Sequence, residues 1–310
     1  MENKFLFFFF IFTINFFSQH SNITLNGVII DSNKNTVPYA AIGILSKAMG
    51  TSSNDDGEFF LKLTRENLSD TLTVSSIGYK TFKIKVQDFI NQTEKIIVLE
   101  EEVVSLGEIT LIKPDYYVKK ALKNIKNTTL SSLHQLTILY RRFSTENNTP
   151  RFLVEHYMHV LDRSLTINEF QEASVLEIRK SVDYRYVKFK QNFHAAEMIA
   201  KQNPLRGDFY ANDYNWKVTG DSSYDGEEII IVQGNEKVKP GNWVRLYIGV
   251  VTFGIYKLEK SHNNATYIYK KDKEGKLYLS YHNREFKSKE PITPHLKNLL
   301  KLIGLSSTKW

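Results

Sequence analysis

The chain has 310 residues, of which 42% are hydrophobic and 24% charged, a globular balance that suits about two domains. It contains no cysteine, which excludes a disulfide, a thiolate metal site, a cysteine nucleophile and a lipid-anchored N-terminus. The net charge of +7 arises from Lys and Glu interleaved along the chain, so a solvated surface is expected rather than the basic patch of a nucleic-acid binder.

Lys4 precedes an apolar run, Phe5–Phe17, broken only by Thr13 and Asn15. Its length suits the h-region of a signal peptide and falls short of the roughly twenty residues a spanning helix needs. Residues 1–18 are therefore expected to be a signal peptide, cleaved between Ser18 and Gln19, although Phe16 stands where a small residue is preferred. The alternative is an uncleaved anchor. No other apolar run approaches spanning length, so the mature chain is expected in the periplasm or cell envelope without a transmembrane span.

From Asn22 to Leu99 short alternating runs are separated by turn signals. Strands are expected at Ile23–Asp31, Val37–Leu45 (opened by Pro38), Glu58–Leu63, Thr71–Ser75, Tyr79–Val86 and Glu94–Leu99. Asn54-Asp55-Asp56-Gly57 reads as a tight turn with Gly57 at positive φ. Six or seven strands in this span predict a small antiparallel sandwich.

Four ordered elements carry a family resemblance: Gly27-Val28-Ile29-Ile30-Asp31, Val37-Pro38-Tyr39-Ala40-Ala41-Ile42, Asp55-Asp56-Gly57-Glu58-Phe59 and Ser76-Ile77-Gly78-Tyr79-Lys80. Their order resembles that of the carboxypeptidase regulatory-like domain over residues 22–99. The resemblance implies a transthyretin-like, seven-stranded sandwich that does no chemistry, with Gly27, Asp31, Pro38, Asp56, Gly57, Phe59, Gly78 and Tyr79 as structural motif positions. Asp55 and Asp56 lack the ligand spacing of a calcium loop.

Residues 100–113 read as a linker, with a charge run at Glu100–Glu102 and an extra strand at Val103–Ile112. Residues 114–310 form the second module. Pro114 opens a helix whose apolar face holds Tyr117, Ala121, Leu122 and Ile125, opposite Lys119, Lys120, Lys123 and Lys126. Packing on the next domain is expected, with an anionic membrane surface as the alternative. Strands follow at Leu136–Ser144, Arg151–Leu161 and Ser164–Glu169; Ser174–Phe189 is ambiguous, and His194–Lys201 reads as a short helix. Asn215–Gly220, Glu227–Gln233, Trp243–Ile248, Gly254–Lys260, Thr266–Lys271 and Leu277–Phe286 then make an antiparallel meander, expected to curl into a half-barrel or to pack under helices. Thr293–Ile303 is expected as an amphipathic helix over that sheet. The overall expectation is a mainly β protein: a seven-stranded sandwich, then a larger meander with a few helices. The rhythm of Tyr224–Ile229, Leu246–Ile248 and Gly254–Glu259 is similar to periplasmic lipoprotein-carrier-like sheets, which implies a sheet able to hold an acyl chain or other apolar ligand.

Chemistry-bearing patterns are sparse. His194-Ala195-Ala196-Glu197 matches H-x-x-E, with His262, His282 and His295 downstream, but nothing nearby orients a metal-bound His. His156 and His159 would point to opposite faces of a strand. No nucleophile elbow, P-loop or dinucleotide fingerprint is present. The expectation is a non-enzymatic envelope protein with no cofactor and no metal site, in which the sandwich is an adaptor and the second module binds an apolar or glycan ligand or an outer-membrane protein. The alternatives are a metal-dependent hydrolase using His194 and Glu197, and a purely structural assembly partner.

Overall fold

The computed structural model describes residues 22–102, 113–146, 148–165, 167, 169–185, 199–201, 203–207 and 209–285, and the backbone alone over 286–287 and 296–308. The signal-peptide segment, the extra strand at Val103–Ile112 and the His194-to-Glu197 pattern lie outside these residues. Of the expected helix His194–Lys201, residues 199–201 are described, and they are helical.

The N-terminal unit is a sandwich of seven strands: β1 (Asn22–Asp31), β2 (Ala41–Ile44), β3 (Met49–Ser52), β4 (Glu58–Thr64), β5 (Thr71–Ser75), β6 (Phe82–Lys85) and β7 (Ile96–Leu99). One sheet has the order β4-β1-β7, the other β3-β2-β5-β6. Alternation builds the core. In β4, Phe59, Leu61 and Leu63 face inward while Glu58, Phe60 and Lys62 face out. These meet Leu25, Ile29, Ile42, Leu72, Val74 and Ile97 in one cluster.

Three local features escaped the period-2 reading. The chain turns through Val37–Ala40 before β2 begins, because Tyr39 takes φ +60°, so the expected strand at Val37–Leu45 shrinks to Ala41–Ile44. A short helix, α1 (Val86–Asn91), follows β6 and inserts Val86 and Phe89 into the core. It carries the chain across to the other sheet, where β7 pairs parallel to β1; every other pair in the sandwich is antiparallel.

Helix α2 (Pro114–Thr128) opens the second module with Pro at its first turn. Its strands are β8 (His134–Glu146), β9 (Thr149–Asp162), β10 (Glu172–Lys180), β11 (Tyr214–Tyr224), β12 (Glu227–Glu236), β13 (Trp243–Gly249), β14 (Ile255–Lys260), β15 (Ala265–Lys271), β16 (Leu277–Lys287) and β17 (Leu296–Thr308). All ten form one antiparallel sheet in the order β10-β9-β8-β17-β16-β15-β14-β13-β12-β11. The meander from β11 to β16 follows the expected turns. Asp225 and Gly226 both take positive φ, the conformation a two-residue hairpin requires.

The C-terminal segment corrects the expectation. In place of the helix expected at Thr293–Ile303, residues from Leu296 form β17, which fills the gap between β16 and β8. A strand with two partners satisfies its own backbone groups and two otherwise open edges. Ser164–Glu169 is likewise not a strand in its described residues, since the chain turns there after β9. Helix α2 lies on the sheet. Tyr117, Val118, Ala121 and Ile125 are buried with the sheet's core, and Asn124 Nδ2 donates to Thr252 O at 3.2 Å. Its apolar face is thus covered by protein, which removes the membrane-surface alternative.

The separate core of the sandwich predicts that residues 22–99 fold alone, and Gly57 is the place to stress that fold. Its φ is +76°, and a Cβ there would stand 2.5 Å from Ile29 O. Gly57→Val is expected to cost about 2 kcal/mol or more, against little for Lys62→Ala on the exposed face. Urea midpoints of the two variants in the 22–99 fragment check this; an unfolded parent fragment by circular dichroism would refute the domain boundary.

Candidate functional site

On one face of the large sheet the register lines up Val232, Leu246, Leu258, Tyr267, His282, Leu302 and Tyr140 across seven strands. Two residues along, where alternation returns to that face, stand Val244, Lys260 and Ala265, and then Arg284, Leu300 and Arg142. A cavity of about 510 Å³ opens over this second row. Its floor includes Lys260, Tyr267 and Arg284. Its walls are the turn at Asn203–Gly207, the rings of Phe209, Tyr214 and Trp243, and the turns carrying Lys239, Asn242, His262 and Asn263.

The walls are held in place by specific bonds. Asn203 Oδ1 accepts from Leu205 N at 3.0 Å and from Tyr269 OH at 3.1 Å, pinning the turn to β15. Arg206, buried behind it, donates to Asp162 Oδ1 at 3.0 Å, to Asp162 Oδ2, and to Ser164 O and Ile167 O at 3.1 Å each. Phe209 and Tyr214 have ring centroids 5.3 Å apart, and Tyr214 packs on Trp216 at 5.5 Å. Below the floor, His282 stacks on Tyr267 at 4.1 Å and its Nδ1 donates to Thr266 O at 3.0 Å.

The electrostatics of the two sheet faces differ. On the face opposite the cavity, Arg245 and Lys257 both pair with Glu259, at 3.3 and 2.8 Å. On the cavity face, Lys260 and Arg284 form no ion pair among the described residues, and Arg284 Nε is buried without a hydrogen-bond partner. Burial, then the neighbouring Arg284, pushes the Lys260 ammonium below its ordinary pKa; burial does the same to Arg284. Burial drives His282 down to about 3, so it is neutral at physiological pH. Glu236, a carboxylate in the cavity wall, accepts from Asn242 Nδ2 at 2.9 Å.

The motif residues of the sandwich take structural places. Gly27 lets β1 approach β7, since a Cβ there would lie 2.5 Å from Lys95 O. Asp31 Oδ1 accepts from Asn33 N and Asn35 N, both at 2.8 Å, closing the turn after β1. In the next hairpin the side chain that accepts is Asn54, from Asp56 N at 3.0 Å and Glu58 N at 2.8 Å; Asp56 contributes only its backbone. Pro38 leads into the turn that places Tyr39 on Tyr281 of β16, with centroids 4.2 Å apart. Phe59 is core. Gly78, at φ +89°, donates to Ser223 O at 2.8 Å and accepts from Glu102 N at 2.9 Å, and Tyr79 packs beside it against the core. Residues 25–111 match the CarboxypepD_reg-like domain.

The N-terminal sandwich is thus docked on the large sheet. Besides Gly78 and Tyr39, Ser75 Oγ and Tyr224 OH lie 3.3 Å apart, Thr81 Oγ1 donates to Asp225 Oδ1 at 3.2 Å, and buried Lys270 donates to Thr51 O at 2.9 Å. Cavities of about 180 and 350 Å³ remain between the two units. Three solved structures resemble the chain in fold: a putative outer membrane lipoprotein-sorting protein domain from Vibrio parahaemolyticus (10% identity, 62% of this chain and 92% of that one, TM-score 0.28), a DUF1329 family protein from Desulfovibrio piger (9%, 62% and 92%, 0.28) and a LolA superfamily protein from Nitrosomonas europaea (12%, 62% and 94%, 0.27). Comparison with curated proteins returns no match.

Among the described residues the histidines singled out in the sequence do not converge; His194 and His295 lie outside them. His159 Nδ1 lies 2.7 Å from Gln135 Nε2, while His156 packs on Tyr140 with centroids 5.8 Å apart. Among the described residues no three His, Asp or Glu side chains are grouped to hold a metal ion. Lys260 and Arg284 were missed. The available signal was phase: Lys260 continues the buried positions Tyr256 and Leu258 of its strand, so it is a cation in an apolar register.

Proposed function

We propose that this is a non-enzymatic, exported envelope protein whose large sheet binds a ligand in the 510 Å³ cavity, with the CarboxypepD_reg-like domain as a fixed adaptor. The observation that carries the reading is the cavity itself. Half-buried aromatic rings and side-chain amides converge on one open space, and its walls are anchored by Asn203 and Arg206. Such pockets, with a few placed polar groups among rings, are the usual form of small-molecule sites. The docking contacts at Gly78, Tyr39 and Lys270 support the adaptor role, because they tie the two units at several separated points. Export rests on the Phe5–Phe17 run, and no described helix is long and apolar enough to cross a membrane.

Tryptophan emission offers the test, since Trp243 lines the cavity. Titrating the purified mature chain with envelope oligosaccharides and acyl lipids is expected to give a saturable change for one class, with the ligand recovered intact. Absence of saturable binding across the panel defeats the binding reading. Zinc-dependent hydrolysis of the ligand, lost in His194→Ala, would put the hydrolase alternative in its place.

A further inference from the structure

We propose that Lys260 and Arg284 form the anion-recognising floor of the cavity, and that its ligand is an acidic saccharide, a sugar carrying a carboxylate or a phosphate. The inference rests on reading the cavity as the ligand site and names what enters it.

Burying a cation without a counter-charge is costly, and folded chains retain such groups where a ligand or function needs them. This chain supplies counter-charges elsewhere on the same sheet. Glu259 serves two cations on the opposite face, while nothing serves Lys260 and Arg284 among the described residues. Glu236, the carboxylate of the cavity wall, is engaged by Asn242 and forms no ion pair with either. A second unmet group points the same way. Asn203, another residue of the cavity wall, has a buried Nδ2 with no hydrogen-bond partner among the described residues, a donor within reach of a small side-chain rotation. Asn242 and Asn263 stand across the same space. Amide donors and acceptors beside the ring faces of Phe209, Tyr214 and Trp243 suit a body that is hydroxylated on its edges and apolar on its faces, which is a pyranose. The hydrocarbon tail of an acyl chain has no oxygen for these amides; only its single carboxyl end does.

Isothermal titration calorimetry on the mature chain compares trigalacturonate, a hexose phosphate, neutral maltotriose and dodecanoate. The expected result is about tenfold or greater preference for an acidic sugar over maltotriose, weakening as salt rises. Trigalacturonate against hexose phosphate distinguishes a carboxylate ligand from a phosphate one. Lys260→Met and Arg284→Met are each expected to reduce acidic-sugar affinity about fivefold or more, and the double variant to erase the preference. Lys257→Met, on the paired face, leaves it unchanged. The melting temperatures of the Met variants stay level or rise, which a structural role for the two cations would not allow. Equal affinity for maltotriose, or affinity untouched in both variants, overturns the proposal while leaving the cavity a ligand site. Dodecanoate as the tightest binder replaces the saccharide with an acyl ligand. Failure of all four probes, neutral maltotriose included, removes the cavity reading along with it.

Discussion

Arg206→Ala is expected to destabilise the second module by about 3–5 kcal/mol, the cost of breaking a buried ion pair by removing one partner. Arg206 and Asp162 have side chains only 2% and 3% exposed. Without the guanidinium, the Asp162 carboxylate keeps the amide of Arg163 at 2.8 Å and His134 Nε2 at 3.8 Å, and two carbonyls, of Ser164 and Ile167, lose a donor. The loss therefore comes mostly from what is left behind, not from attraction forgone. The double variant Arg206→Met with Asp162→Leu removes both charges and is expected to recover much of the deficit. Urea unfolding of the three proteins measures it as a shift in midpoint at constant slope. A loss below about 1 kcal/mol in Arg206→Ala would mean that the pair is solvated and the turn at Pro204–Arg206 loosely held. That turn is a cavity wall, so weakening of ligand binding in Arg206→Ala should accompany the loss of stability.

Acid should unfold the same module through His282. Its imidazole is buried, stacked on Tyr267, and lies near Arg284 and Lys260, so its folded pKa is depressed to about 3 from an ordinary value of 6.5. Between these two values the unfolded chain binds a proton that the folded chain refuses. Stability contributed by the neutral imidazole is therefore complete above pH 6.5 and is lost as pH falls toward 3, by up to about 5 kcal/mol for a shift of this size. His282→Phe keeps the stacked ring and removes the titration. It is expected to lose about 1 kcal/mol at neutral pH, from the bond to Thr266 O, and to gain on the parent steadily below pH 6. Carboxylates that also titrate in this range cancel in the difference between the two proteins. Parallel stability curves for parent and variant from pH 7 to pH 3.5 would show that the site is open to water.

Much of this architecture was already written in local pattern. Period-2 alternation in Glu58–Leu63 and in the run from Asn215 to Phe286 specifies strands with one buried face, and residues such as Gly57 and Asp225-Gly226 specify where the chain reverses. The four ordered motifs pointed to the sandwich, and three of them carry a glycine, Gly27, Gly57 and Gly78, at a close approach or a positive φ that a side chain would strain. The spacing of Tyr117, Ala121 and Ile125 likewise set the face of α2, though not what would cover it.

Non-local partners decided the remainder. Thr293–Ile303 reads as an amphipathic helix by itself, yet from Leu296 the chain is a strand because β16 and β8 present two edges to it. Tyr39 leaves the expected strand for a left-handed conformation that sets its ring on Tyr281, a contact across more than two-thirds of the chain. Lys260 and Arg284 look like ordinary charged residues of an exposed meander until the register of β14, β15 and β16 puts them on the same face under one cavity. Sequence states a charge and its phase along one strand; whether that charge meets a carboxylate is a property of the neighbouring strands, and among the described residues their pairing gives these two cations none.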